Sequence, residues 1–441
     1  MNRAVGFWLG IDAVPTLRAP RLTADDLGAL ARRRLSRLLE RAAETEFYRE
    51  RLRDAGIRVR RGLLERDPEG VLEALSPVGK LELRSAGARV LSGGRVQPEW
   101  LSSSSSGSTG EPFRVYYNAR AWATLKHLVK LRARRACGMR LTDRLALLDA
   151  TPLDGVRPHP NSHNRVARIS VLQPATAIAE QLTCFAPDVV YGLPSALLEV
   201  AAAVRERGER LAVRLLFTSG ELLQATVREE LAKAFSARVF DVYGSSETKE
   251  IAWECPAGGM HVNADVVLIE ILDDAGRVVP FGVEGQIVAT LLVNQAMPLL
   301  RYRVGDRGSL LPEPCSCGRS LPRFGVVTGR QADVLVLAGG QRVSPYSVTC
   351  ALENVSDLVR YQVTQVDPAR LRVHAIVGSE SNRDQVADRV QTMLRAHVAP
   401  FLEAEVEFVD RLPTGPRAKF RVVQSLPPES SASSSVTQEA Q

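Results

Sequence analysis

Leu101-Ser102-Ser103-Ser104-Ser105-Ser106-Gly107-Ser108-Thr109-Gly110-Glu111-Pro112 leads straight into Phe113-Arg114-Val115-Tyr116-Tyr117. The second stretch alternates and is rich in aromatic and β-branched residues, so it reads as a strand that anchors the first. Small residues let backbone come close to an anion, their N–H groups can ring phosphate oxygens, and hydroxyls add donors without bulk. Residues 102–112 are therefore a candidate phosphate loop. No lysine follows Gly110 and a strand rather than a helix follows the loop, which rules out the Gly-x4-Gly-Lys-Ser/Thr nucleotide loop. A flexible Ser/Gly linker is the competing reading, and the neighbouring stretches decide between them.

The chain has 441 residues, too many for one compact core, so two domains are expected. With 45% hydrophobic and 24% charged residues it reads as an ordinary globular protein. A formal charge of +7 favours anionic ligands. Aromatic residues make up only 5% and Lys and Arg are scattered, which argues against nucleic acid and for phosphate-bearing small molecules. The apolar start is interrupted at Asp12 and does not read as a convincing signal peptide. No segment carries the roughly 18 uninterrupted apolar residues of a membrane span. Six cysteines in so long a chain are not a disulfide scaffold, so a cytoplasmic protein is expected.

Along the chain, Thr23 caps a helix whose apolar face carries Leu27, Leu30, Leu35, Leu38 and Leu39. Residues 119–136 read as a basic amphipathic helix and residues 145–148 as a buried strand. Residues 151–166, rich in Pro, Asn and His, read as an irregular loop bordering an acyl pocket, with His163 exposed rather than catalytic. Three strand-to-loop passages follow: Val189-Val190-Tyr191-Gly192 before Pro194, Leu215 to Ser219-Gly220-Glu221, and Val239 to Tyr243-Gly244-Ser245-Ser246-Glu247. Strands alternating with helices predict an α/β fold with parallel sheets flanked by helices, and ligands at the carboxyl ends of strands.

Cys255-x5-His261 and Cys315-x-Cys317 supply three thiols and an imidazole, the donor set of a closed structural zinc site. Unrelated buried thiols are the alternative. From about residue 330 the pattern turns to short strands and a helix over 383–397, a small α+β domain. Residues 425–441, rich in Ser, Pro and Glu, read as a disordered tail.

Ser105-Ser106-Gly107-Ser108-Thr109-Gly110-x-Pro112 resembles the phosphate loop of adenylate-forming enzymes: acyl-CoA synthetases, adenylation domains and luciferases. Four further stretches follow in that superfamily's order: Tyr243 to Glu247, Tyr302-Arg303-Val304-Gly305-Asp306, Gly329-Arg330-x-x-Asp333 with Gly339-Gly340, and Pro413-Thr414 ahead of Lys419. Phe47-Tyr48-Arg49-Glu50-Arg51-Leu52 and Leu75-Ser76-Pro77-Val78-Gly79-Lys80 resemble its phenylacetate-CoA ligase branch.

The resemblance covers roughly residues 25–424. It implies a large AMP-binding domain over 1–329 and a small mobile domain over 330–424. Ser219, Gly220 and Glu221 would border adenine, on which Tyr243 would stack. Gly244, Ser245 and Ser246 would approach the phosphates, Glu247 would hold Mg2+, and Asp306 and Arg330 would complete the nucleotide site. Gly339 and Gly340 would line the thiol's path, and Lys419 would assist adenylation. Some members carry the Cys255, His261, Cys315, Cys317 spacing, which implies Zn2+. Ala332 stands where an Asp or Lys hinge is usual, and Ala418 where glycine usually precedes the lysine.

The implied activity joins ATP and an aromatic carboxylic acid to an acyl adenylate and passes the acyl group to coenzyme A, with a homodimer allowed. Delivery to a carrier protein or an amine is the alternative, and a non-catalytic nucleotide- or zinc-binding interaction protein is a third reading.

Overall fold

The computed structural model describes residues 3–58, 63–105, 113–149, 165–221, 223, 225–328, 335–343, 345–353, 355–378, 380–410, 412 and 423–425. It divides into two compact units, one holding the described residues through 328 and the other those from 335 onward. No described helix is long and apolar enough to cross a membrane.

The first unit is organised on an eleven-stranded sheet. One half is parallel, in the spatial order Val166–Ser170, Leu145–Asp149, Val189–Gly192, Leu215–Ser219, Arg238–Ser245. These strands are near-continuous apolar runs because both faces are covered. Ala146, Leu148, Val190 and Leu216 turn to one side, against the helices Ala175–Phe185 and Pro194–Glu206. Leu145, Val189, Leu215 and Phe217 turn to the other. The expected parallel sheet is thus one half of a mixed sheet. At Lys249–Glu254 the pairing becomes antiparallel and stays so to the edge strand Val267–Leu272. The chain steps from Leu145–Asp149 outward to Val166–Ser170, then returns to its other side with Val189–Gly192. Such a reversal opens a crevice at the strands' carboxyl ends.

The expected helix at Thr23 spans Ala24–Glu44, with the Thr23 hydroxyl accepting the Asp26 N–H at 3.1 Å. Residues 119–136 are helical, but Ala123–Leu128 is wound as a π-helix, which a helical period does not reveal. The serine run departs from the expected loop at its start. Leu101–Ser105 is a strand paired with Phe113–Tyr117, Ser105 opposite Phe113, because alternate residues face the buried Val115 and Tyr117 side of the ribbon. Ser106, Gly107, Ser108, Thr109 and Gly110, with Glu111 and Pro112, lie outside the described residues, as does the stretch 150–164 that holds His163.

In the second unit the strands Glu403–Phe408, Arg370–Val377, Leu358–Asp367 and Val423–Gln424 form a sheet in that order, packed on Pro345–Glu353 and Arg383–His397. A two-stranded ribbon, Leu335–Val336 with Arg342–Val343, turns through Gly339 and Gly340, both at φ 78°. That left-handed conformation favours glycine. The helix expected over 383–397 is present as Arg383–His397. Arg330, Ala332, Ala418 and Lys419 lie outside the described residues.

Candidate active site

The strand Arg238–Ser245 ends in a turn whose backbone leaves no room for a side chain at Gly244. A Cβ there would stand 2.2 Å from the Lys249 carbonyl oxygen. Ser245 Oγ accepts the N–H groups of Glu247 at 3.2 Å and Thr248 at 3.1 Å, closing the turn on itself. Below it, the Tyr117 hydroxyl lies 3.2 Å from the Ser246 carbonyl and 2.6 Å from that of Glu247. The strand leading out of the serine run therefore props up the turn that carries Ser246 and Glu247. Burial pushes the Tyr117 hydroxyl well above its ordinary pKa, with the Glu247 charge adding to it, so it stays a neutral donor.

Glu247 is only 7% exposed. Its Oε1 accepts the Tyr302 hydroxyl at 3.1 Å and lies 3.5 Å from Lys80 Nζ. A charge so far from bulk water has to be paired or hydrogen-bonded. Lys80 is a residue the sequence reading left without chemistry. It arrives because Val78 bridges Tyr302: the Val78 N–H donates to the Arg301 carbonyl and the Arg303 N–H to that of Val78, both at 2.9 Å. The signal was present only as the segment Leu75 to Lys80, far from Glu247 in sequence.

Tyr243 lies within its strand rather than after it, edge-on to Phe324, and its hydroxyl donates to Asp306 Oδ2 at 2.9 Å. Two residues expected at the nucleotide are thus hydrogen-bonded to each other. Asp306 lies in the strand Tyr302–Leu311, where the register slips against Gln286 and Val288 and Gly305 takes φ 95°. The bulge supplies the freedom a loop would have given and re-aims the carboxylate. Ser219 ends its strand. Gly220 follows at φ 86°, and the Glu221 carboxylate accepts both Ser195 N–H and Ser195 Oγ–H, at 3.0 and 2.9 Å. Glu221 thereby fixes the start of the helix Pro194–Glu206 beside the Ser219–Gly220 backbone.

Beyond the Glu247 turn, Lys249 sits at φ 62° and its ammonium donates to the Ser246 carbonyl at 2.7 Å. Burial, reinforced by Lys126 and Lys130, pushes Lys249 down to about 7.

At the far end of Lys249–Glu254, four donor atoms from Cys255, His261, Cys315 and Cys317 lie within 4.8 Å of one another. Cys255 Sγ and Cys315 Sγ are 3.6 Å apart, and Cys317 Sγ is 3.2 Å from His261 Nε2. A tetrahedral site with bonds near 2.3 Å has edges of roughly 3.8 Å, so the four atoms nearly describe one. His261 Nδ1 lies 3.2 Å from the Leu321 carbonyl. Donating its proton there puts the lone pair on Nε2, toward the thiols. Burial pushes the Cys255 thiol up to about 11, against the N–H groups of Ala257 and Gly259 that aim at the sulfur. At Cys317 burial also pushes upward, but the Arg319 N–H and the neighbouring thiols outweigh it and the net shift is downward. A Cβ at Gly259 would come within 2.8 Å of Cys315 Sγ, so the turn after Cys255 is shaped around the cluster. Donor set, tautomer and amides all fit zinc.

The parallel half of the eleven-stranded sheet thus carries Ser219 and the Ser245–Glu247 turn at the carboxyl ends of its strands. No family model matches the chain. It is 29% identical over 419 residues to the phenylacetate-coenzyme A ligase of Thermus thermophilus, covering 86% of this chain and 90% of that one. It is 30% identical over 248 residues to that of Pseudomonas putida, where the match spans about half of each chain, 53% and 55%. Among solved structures, a 2-hydroxyisobutyryl-CoA ligase bound to its acyl-AMP and CoA shares the fold at a TM-score of 0.63 and 22% identity, over 92% of both chains. The relatives support a place in the adenylate-forming superfamily, in its phenylacetate-CoA ligase-like branch, and the solved structure shares the fold.

Proposed function

We propose that this protein activates a carboxylic acid with ATP and transfers the acyl group to coenzyme A. In the first step a carboxylate oxygen attacks the α-phosphorus and the bond to pyrophosphate breaks. In the second the thiolate sulfur attacks the acyl carbon and AMP leaves with its oxygen. The division replaces a poor leaving group, hydroxide, with a good one. The observation that carries the reading is the Glu247 turn: a buried carboxylate held by Tyr302 and Lys80, next to the Tyr243–Asp306 pair. Tyr243 offers adenine a flat face, and Asp306 offers the ribose diol an acceptor. Ser246 would offer a hydroxyl to the phosphates, and Lys80 sets a cation 3.5 Å from the Glu247 carboxylate. Glu247 is the residue that would hold Mg2+, which when bound neutralises phosphate charge. The aromatic-acid preference of the branch is the starting assumption for substrate. The test is pyrophosphate release across aryl and alkyl acids, with and without coenzyme A. Release with at least one acid, followed by CoA-dependent thioester, is expected; no release with any acid overturns the reading.

Cys255, His261, Cys315 and Cys317 are read as a structural zinc site, with no position left for a reacting water. Metal analysis should find about one zinc per chain, since four donors fill one tetrahedral site. Cys317→Ser should lose the metal and melt at lower temperature, because binding energy at such a site is folding energy. Purified, active protein without bound metal would sink this assignment.

A further inference from the structure

The π-helical turn Ala123–Leu128 packs against the strand Lys249–Glu254 and carries Lys126; such turns recur at functional sites because the extra residue re-aims side chains. Lys126 Nζ lies 4.3 Å from the centre of the Trp122 ring, and Lys249 Nζ lies 5.5 Å from the same centre and 5.0 Å from that of Tyr117. Trp122 and Tyr117 meet edge to face, with ring centres 5.5 Å apart. The result is an aromatic corner with two ammonium groups.

The carboxylates nearby are already committed. Glu250 Oε1 is 3.1 Å from Lys130, and Asp149, at the carboxyl end of the strand Leu145–Asp149, accepts from Arg168 at 2.8 Å. Among the described residues neither Lys126 nor Lys249 has a carboxylate within ion-pair distance. Lys126 has Lys130, Arg168 and the already paired Asp149 around it, and Lys249 has Lys126, Lys130 and Glu247. Like charges gathered around the half-buried Trp122 ring and the fully buried Tyr117 ring are destabilising unless an anion enters. Lys249 follows Glu247 by two residues and bonds the Ser246 carbonyl, so the corner adjoins the place where the acid would react.

We propose that the acid bound here carries a second anionic group, remote from the reacting carboxylate, and that Lys126 and Lys249 hold that group against Trp122 and Tyr117. The proposal rests on the ligase reading for the identity of the site. The substrate class is then a dicarboxylic or otherwise doubly anionic acid with an apolar or aromatic spacer, rather than a simple aryl acid.

Matched pairs test it: phenylacetate against 4-(carboxymethyl)phenylacetate, and butyrate against glutarate. Binding is read by calorimetry and by tryptophan fluorescence, without nucleotide, and pyrophosphate release is followed in parallel. The wild-type chain should bind each diacid at least about tenfold tighter than its monoacid, the gain of one charge-assisted contact. Lys126→Met, which keeps the apolar stem, should bring that ratio close to one, and Lys126→Arg should restore it. Equal binding of monoacid and diacid by wild type overturns the proposal. So does Lys126→Met weakening both alike, which would assign the cations to the reacting carboxylate. Diacid preference in binding with no pyrophosphate release from any acid would uphold the cationic corner and remove the ligase reading. Release from monoacids with no diacid preference would do the reverse.

Discussion

Glu247→Gln is expected to lower acyl-adenylate formation roughly 100-fold or more while changing ATP affinity by only a few-fold, because charge on the transferring phosphate develops most in the transition state. The substitution keeps the shape of the side chain. The amide oxygen can still accept the Tyr302 hydroxyl that Oε1 now accepts at 3.1 Å, and the Glu247 N–H remains on Ser245 Oγ at 3.2 Å. What disappears is the negative charge, and with it the counter-ion of Lys80 at 3.5 Å and the one ionised oxygen ligand this turn offers a hard cation. Lys80→Met should act on the same step with a smaller loss. Tyr302→Phe, which deletes a single hydrogen bond to a charged group, should slow it by about tenfold. ATP–pyrophosphate exchange measures all three. An unchanged exchange rate in Glu247→Gln, with the fold intact by thermal melting, removes Glu247 from the reaction.

The difference in legibility between Glu247 and Lys80 is physical. Glu247 stands in the same turn as the rest of its motif, Tyr243 through Ser246, so a short stretch of sequence carries the whole signal. Lys80 owes its position to the pairing of Val78 with Tyr302, a contact between segments more than two hundred residues apart, and no local pattern encodes that. Asp306 shows the same limit on a smaller scale. Gly305 beside it announced an irregular backbone, but whether the irregularity is a loop or a bulge depends on the partner strand Gly285–Leu291. The cysteine cluster was legible because thiols and an imidazole at short spacings have few other uses in one neighbourhood, and the described Sγ and Nε2 atoms do converge. The π-helical turn was not, since one inserted residue barely alters a helical period over eighteen positions, yet it decides where Lys126 points. The Leu101–Ser105 strand was hidden by serines that read as loop and pair as strand opposite Phe113–Tyr117.

The largest expected effect belongs to Lys419, which lies outside the described residues and whose role rests on its place after Pro413-Thr414 in the motif order. An ammonium delivered to the carboxylate and phosphate as they react stabilises charge present only in the transition state. Lys419→Ala should therefore reduce acyl-adenylate formation roughly 100- to 1000-fold, the range seen when a contact of that kind is removed. Thioester formation from presynthesised acyl adenylate should be nearly unchanged, because in the second step the phosphate is already a leaving group. Gly340→Leu should do the opposite. Gly340 sits in the Leu335–Val343 ribbon at φ 78°, with nothing within 4 Å of a would-be Cβ, so a leucine there projects into open space rather than into the core. It obstructs an approaching thiol if the ribbon lines the thiol's path. The left-handed backbone strain it adds, about 1–2 kcal/mol, falls within the second unit and would not by itself select one half-reaction. Gly340→Ala carries the strain without the bulk and separates the two effects: it should melt like Gly340→Leu while retaining most thioester formation. Lys419 and Gly340 would then each govern one step, as expected of an enzyme whose conformational change completes a different site for each stage. Equal loss of both half-reactions in Lys419→Ala would refute that division, and no loss in either would make Lys419 a surface residue.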